Sequence, residues 1–378
     1  MARSLTVIQT LPELNSGGVE RGTLEIARAL VAQGHRSIVI SHGGRLVKQL
    51  EAEGSQHITL PIHRKSLRSL FQVRPLRRIL EEIKPDIVHA RSRVPAWITF
   101  LALRKMAPLN RPHFITTVHG LYSISPYSAV MTFGERVIVV SNTVKQYVLE
   151  NYPRCAPEKI RLIYRGVTPN EFPFGLSADP DWLATWKTDF PELAGKTIIA
   201  IPGRLSRVKG HETFLELMKN LVADLPDIHG LIIGGAEPAK AAYEQELKTR
   251  VSALGLDSRI SFTGHRNDMN QVLSQCDLVL SLRVTPEAFG RTTLEPLRLG
   301  KPVIGWDVGG VGEILRTMYP FGAVPAGDDA ALAARVRQWL LTRPALVETG
   351  AFQLDDMCAQ TLDTYEQTCQ TKLGAHSV

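Results

Sequence analysis

Three short loops carry the residues whose types and spacing suit chemistry. The most specific reads Thr285-Pro286-Glu287-Ala288-Phe289-Gly290-Arg291-Thr292-Thr293-Leu294-Glu295-Pro296. It follows an apolar run with the character of a buried strand and leads into helical spacing, which puts Glu287 in the loop and Glu295 about one turn inside the helix. The backbone amides of Gly290 to Thr293 would open that helix and could point at a phosphate, because the first turn leaves its N–H groups without partners. One carboxylate can accept from sugar hydroxyls while the other accepts from a ribose. A second loop, Pro202-Gly203-Arg204-Leu205-Ser206-Arg207-Val208-Lys209-Gly210, also follows a strand-like run. A guanidinium forks onto phosphate oxygens and an ammonium adds a point charge, so Arg204 and Lys209 together could neutralise a diphosphate without a metal. In the third, Pro12 to Arg21, Gly17 and Gly18 stand directly before a helical stretch. Such a loop lets backbone approach an anion, though a plain tight turn would use the same glycines, and the spacing is not that of the dinucleotide fingerprint.

Those loops need elements to position them. Apolar runs at 5–9, 37–41, 58–61, 87–89, 114–118, 137–141 and 160–164 read as buried strands. Helical stretches fall between them, among them 18–33, stopped by Gly34, and 142–151, capped by Ser141 or Asn142. The pattern restarts with strands at 197–202, 231–234, 260–263, 278–282 and 302–306 and helices near 210–224, 239–254, 267–275, 291–299 and 329–341. A last helix is expected near 348–372. Strand–helix alternation of this kind gives parallel sheets covered on both faces, hence an α/β chain of two Rossmann-like domains facing a cleft. The stretch 168–191, rich in Pro, Asp and Trp, reads as junction and excursion. In open parallel sheets ligands sit beyond the carboxyl ends of the strands, which is where the three loops lie.

Taken together and in order, Gly17-Gly18-Val19-Glu20-Arg21, Gly203-Arg204…Lys209-Gly210 and Glu287…Glu295 resemble the retaining glycosyltransferases of family 4, with the GT-B fold. Asp86-Ile87-Val88-His89, Val139-Val140-Ser141, Arg165-Gly166-Val167 and Gly300-Lys301-Pro302-Val303-Ile304 extend the resemblance over essentially the whole chain, in the direction of bacterial lipopolysaccharide-core enzymes. The resemblance implies an acceptor-binding domain at 1–168, a nucleotide-sugar domain at 169–350 and a helix at 351–378 returning to the first. It places Gly17 and Gly18 near the donor phosphates, Arg204 and Lys209 on the diphosphate, Glu287 with the Ala288–Gly290 backbone on the donor sugar, and Glu295 on the ribose. Arg291 and Thr292 would join the phosphate cradle, and the loop Gly264-His265-Arg266 would pass beside the base. His119, in Thr117-Val118-His119-Gly120, matches the family histidine near the reacting sugar. Arg165 stands where the family commonly has Asn, so acceptor recognition is expected to differ there, and Arg91 and Arg93 together with Arg165 add charge that could reach an anionic acceptor.

Composition bounds the rest. The 378 residues are 44% hydrophobic and 21% charged, an ordinary globular mixture long enough for two cores. Four scattered cysteines without ligand spacing argue against disulfides and zinc. The net charge of +7 divides into +13 over residues 1–170 and −6 over the remainder. A basic first domain points to an anionic partner, and a lipid-anchored or phosphorylated glycan acceptor fits better than nucleic acid, for which no module is visible. Arg64, Lys65, Arg68, Arg74, Arg77 and Arg78, interleaved with Leu67, Leu70, Phe71, Val73, Leu76, Ile79 and Leu80, could lie on an anionic membrane surface, or could be a helix with its apolar side on the core. No signal peptide or spanning segment is read, so a cytoplasmic enzyme docked peripherally at the membrane is expected. No cofactor is expected; the nucleotide-diphosphate sugar is substrate, with a UDP-hexose in first place and GDP- or ADP-linked donors as alternatives. Asp179-Pro180-Asp181 imitates a metal motif but lies in the excursion, and no metal is expected. An epimerase of the same fold and a non-catalytic sugar-nucleotide binder are the competing functions.

Overall fold

The computed structural model describes residues 3–15, 17–236 and 241–374. Its strands are β1 (Thr6–Thr10), β2 (Arg36–Ser41), β3 (Gln56–Thr59), β4 (Ile87–Ala90), β5 (His113–Val118), β6 (Arg136–Val139) and β7 (Ile160–Leu162), then β8 (Thr197–Pro202), β9 (Ile228–Ile233), β10 (Ile260–Phe262), β11 (Leu278–Ser281), β12 (Val303–Trp306) and β13 (Ala323–Val324). Every residue of β4, β5, β9 and β12 is buried, as strands covered on both faces require. All pairings are parallel, in two sheets ordered β3-β2-β1-β4-β5-β6-β7 and β10-β9-β8-β11-β12-β13. The fold is thus two Rossmann-like α/β units of the GT-B type.

Each sheet reverses direction once, between β1 and β4 in the first and between β8 and β11 in the second. At such a switch point the neighbouring loops diverge and leave a crevice. The three chemistry-bearing loops follow β1, β8 and β11, which is why the sequence can afford glycines and charges there.

The first unit runs to Gly166 and takes up the chain again at Leu354; the second is Val167–Gln353. The two crossings lie side by side, with Val167 bridged to Gln353 and its N–H donating to the Phe352 carbonyl at 3.1 Å. Helix Leu354–Gly374 packs Met357, Leu362 and Tyr365 against Leu5, Ile26, Leu30, Ile87 and Ile115, so it completes the first unit's core. The second unit buries its own core around Phe214, Leu278, Ile304 and Trp306.

Several elements differ from the sequence expectation. Helices Val47–Ala52, Arg93–Arg104 and Pro180–Asp189 and the two-residue β13 are additional. The expected start of the 239–254 helix falls partly outside the described residues. Asp179 caps Pro180–Asp189, its Oδ1 accepting from the N–H groups of Asp181 and Trp182 at 3.1 and 3.0 Å. In that run Asp179 is thus a helix cap and Pro180 the first helical residue.

Candidate active site

The second unit gathers four cations and two carboxylates at its switch point. Lys209 ends the turn after β8, and Glu287 lies in the loop after β11; Lys209 Nζ meets Glu287 Oε1 at 2.5 Å. Arg283 joins from two residues beyond β11, its guanidinium 3.3 Å from the same oxygen and its Nε donating to Thr285 Oγ1 at 2.9 Å. Both Lys209 and Glu287 are partly buried. Arg204, Lys209 and Arg283 line one cavity of about 550 Å³ with Arg207, Tyr243 and Glu246, the last an ion-pair partner of Arg207. An open cavity with this excess of positive charge suits a polyanion.

The loop that carries Glu287 is held by backbone. Its carbonyl accepts from the Gly310 N–H at 2.8 Å, and Phe289 is buried with its ring edge toward Phe352, centroids 5.8 Å apart. Gly290 sits at φ 111 directly before helix Arg291–Arg298, a conformation that side-chain-bearing residues rarely adopt. That kink turns the chain from loop to helix within one residue. Ala288 and Thr292 stay half-buried beside it, while Thr293 is buried and its hydroxyl donates to Ser281 Oγ at 3.0 Å. Glu295 is buried and accepts from Arg291 Nε at 3.0 Å. Arg266 is engaged by Asp268, Nε to Oδ1 at 2.9 Å, and its guanidinium lies 5.7 Å from the Trp186 ring centre.

The first unit is built differently. Gly17 and Gly18 are exposed at the start of helix Gly18–Ala32, with the Gly17 carbonyl accepting from the Arg21 N–H at 3.0 Å. The loop before them is tied to the loop after β2, Leu46 N–H donating to the Leu14 carbonyl at 2.9 Å. Arg165, only 8% exposed, donates to the Gly18 carbonyl at 2.6 Å and reaches Met357 Sδ at 3.6 Å. Its guanidinium fills the space that a side chain at Gly22 would need. Arg91, 2% exposed, donates to Gln9 Oε1 at 2.5 Å. Both guanidinia, expected at the acceptor from sequence, are buried and make these bonds inside the first unit. Arg93 is half-buried at the start of its helix, 3.3 Å from Ser128 Oγ and over the Tyr122 ring at 4.7 Å.

His119 follows β5 directly, and its backbone N–H donates to Tyr122 OH at 3.3 Å. Burial, with Arg165, Arg91 and His89 adding to it, holds its ring well below the ordinary histidine pKa. Its Nε2 is shielded from solvent and makes no hydrogen bond. The ring is therefore neutral at pH 7, able to donate from one nitrogen and accept at the other. His89 is neutral for the same first reason, burial, and is bound by Tyr365 OH at 2.7 Å and Thr117 Oγ1 at 2.6 Å.

Comparison with known proteins places this geometry. The family model for Glycosyltransferase Family 4 matches residues 16–171, and that for Glycosyl transferases group 1 matches residues 184–350. A solved glycosyltransferase from Rickettsia africae ESF-5 is 30% identical, covering 97% of this chain and 99% of that one with a TM-score of 0.86. This chain is a family 4 glycosyltransferase. Among curated relatives, the lipopolysaccharide core biosynthesis mannosyltransferase LpsB of Rhizobium meliloti is 31% identical over 158 residues, 41% of this chain and 45% of LpsB. The chain therefore spans less than half the length of that relative in the match. Anabaena HepE, solved with UDP and glucose, shares the fold at a TM-score of 0.75 and 20% identity, covering 99% of this chain and all of that one.

Within this glycosyltransferase, Arg207, Tyr243, Glu246 and Arg283 line the second unit's cavity without having been given a role from the sequence. Arg283 is the first charged residue after β11, at the switch point, and that position was the available signal. Among the described residues no three His, Cys, Asp or Glu side chains converge as a metal site would require. No helix among them is long and apolar enough to cross a membrane.

Proposed function

We propose that this chain is a retaining hexosyltransferase that moves the sugar of a UDP-hexose to an anionic, lipid-anchored saccharide, the lipopolysaccharide core in first place. The observation that carries the reading is the cavity of the second unit lined by Arg204, Lys209 and Arg283, the last two of which pair with Glu287. Breaking the anomeric bond leaves new negative charge on the nucleoside diphosphate. Lys209 and Arg204, with the amides opening helix Arg291–Arg298, would stabilise it in place of a metal.

Glu287, paired with Lys209 and Arg283, would accept from donor-sugar hydroxyls, and Glu295 would accept from the ribose. Gly17 and Gly18 are exposed, and their backbone would contact the donor phosphates. His119, neutral and with an Nε2 that makes no hydrogen bond, would hydrogen-bond the reacting sugar without competing for the diphosphate charge. Retention means that the acceptor attacks on the face from which the diphosphate departs; no residue is assigned as a covalent nucleophile, and Glu287 is not a glycosidase-type base. The UDP assignment is supported by HepE, solved with UDP and glucose, and the acceptor by LpsB, named for lipopolysaccharide core synthesis. The basic first unit would hold the enzyme at the cytoplasmic face of the inner membrane, near such an acceptor.

Thermal-shift titration with UDP, GDP and ADP, followed by turnover of the matching sugar donors in excess EDTA, tests this. A nucleotide at a hundredfold its dissociation constant adds roughly 2.7 kcal/mol, an easily read shift. A shift with UDP and transfer in EDTA are expected. A response to GDP or ADP alone, or activity that needs added Mg²⁺ or Mn²⁺, would contradict the reading.

A further inference from the structure

Helix Val73–Ile83 buries Val73, Leu76 and Leu80, so the apolar half of the basic stretch belongs to the core. The turn before it does not. In Leu67–Gln72, Leu67 is 85% exposed, Phe71 77% and Leu70 47%. Under this turn lies a groove of about 480 Å³, within the size range of ligand sites, floored by Leu70, Val94, Trp97 and Ile98. Trp97 Nε1 donates to the Tyr127 carbonyl at 2.8 Å, which satisfies its polar edge and leaves the rest of the ring as apolar wall. Arg64 and Lys65 stand at the groove, Lys65 Nζ lying 4.6 Å from the Tyr127 ring centre.

Charge decides what would cover this face. From residue 54 to residue 80 the chain holds Arg64, Lys65, Arg68, Arg74, Arg77 and Arg78 and no Asp or Glu. A bilayer rich in anionic lipid offers a phosphate layer for those cations and, directly beneath it, hydrocarbon for Leu67 and Phe71. We propose that the groove takes one acyl chain of an anionic membrane lipid, with the lipid phosphate between Arg64 and Lys65 and the Leu67–Gln72 turn set into the leaflet. The proposal rests on the membrane-docked reading above and adds its contact residues and its ligand.

Trp97 reports on the groove directly, because the other tryptophans, Trp182, Trp186, Trp306 and Trp339, all belong to the second unit. Vesicles of phosphatidylglycerol carrying bromine on the acyl chain, at low salt, are expected to quench the emission of the full chain. Trp97→Phe should lose that quenching while still sedimenting with the vesicles. Leu67→Asp with Phe71→Asp should lose both, with turnover on a soluble saccharide acceptor unchanged. Sedimentation with quenching absent, or unchanged in Trp97→Phe, overturns the groove and leaves docking standing. Equal quenching by brominated phosphatidylcholine overturns the phosphate assignment. Failure to sediment at any salt, including capture by an acidic peptide in place of vesicles, overturns both groove and docking and leaves the transferase reading intact.

Discussion

In the second unit the cations beside β8 and β11 remain partly open to solvent, and three of them are held by carboxylates: Lys209 and Arg283 by Glu287, Arg291 by Glu295. In the first unit Arg91 and Arg165 are buried and bound by neutral acceptors, the Gln9 side chain and the Gly18 carbonyl. One sheet topology thus supports two uses of positive charge. A cation that must meet a diphosphate keeps its desolvation cost low and trades one anion for another as the ligand arrives. A buried guanidinium instead pins neighbouring groups, and its field adds to the burial that keeps His89 and His119 uncharged.

The sharpest break in that contrast comes from Lys209→Ala. Removing a charge-stabilising donor should lower kcat by about 10²-fold or more with little change in melting temperature. Arg204→Ala should behave alike, and steady-state kinetics on purified variants decide it. Arg165→Asn, by contrast, should alter stability more than donor turnover.

Acid lability is the next effect in size. Burial pushes buried His211 down to about 4, with the Ser206 backbone opposing and Lys209 assisting. Between about 4 and the ordinary 6.5 the unfolded chain then binds more protons than the folded one, so stability rises with pH across that window and is lost as pH falls through it. The contribution is up to about 3 kcal/mol. His211→Leu should flatten the melting-temperature profile over that range, and an unchanged profile would assign the acid limb to His89 and His119 in the first unit.

Gly22→Ala probes the packing of the first unit. A methyl group there collides with the Arg165 guanidinium, and overpacking of this kind costs about 1–3 kcal/mol. The loss should shrink when Arg165→Asn is added, because the crowding group is gone; strict additivity in urea unfolding would contradict the packing described. Smallest is Asp179→Ala, expected to cost about 1 kcal/mol as a lost helix cap and to leave the response to added metal unchanged.

Much of this was legible in the chain. Strands buried on both faces announce themselves as apolar runs, and β8 falls on 197–202 as expected. At two residues, β13 is too short to carry a pattern. Helix Arg93–Arg104 hides behind Pro95 in its first turn. Helix Pro180–Asp189 did carry a signal, an Asp cap followed by Pro at the first helical position, within a segment whose composition resembled a loop. The loops of the site could be placed because they follow strands at switch points. The direction of Arg165 could not: it lies past the end of β7, where strand alternation no longer says which way a side chain points. What a cation contacts depends on residues far away in sequence, here Gly18 and Met357.

The central claim is that protein cations of the second unit hold a nucleoside diphosphate without a metal. Titration calorimetry of UDP in excess EDTA, on the full chain and on Lys209→Ala, tests it most directly. The account predicts binding that persists in EDTA and weakens by at least about tenfold in the variant, a change of about 1.4 kcal/mol. Binding that vanishes in EDTA and returns with Mg²⁺, or equal affinity in both proteins, would contradict it.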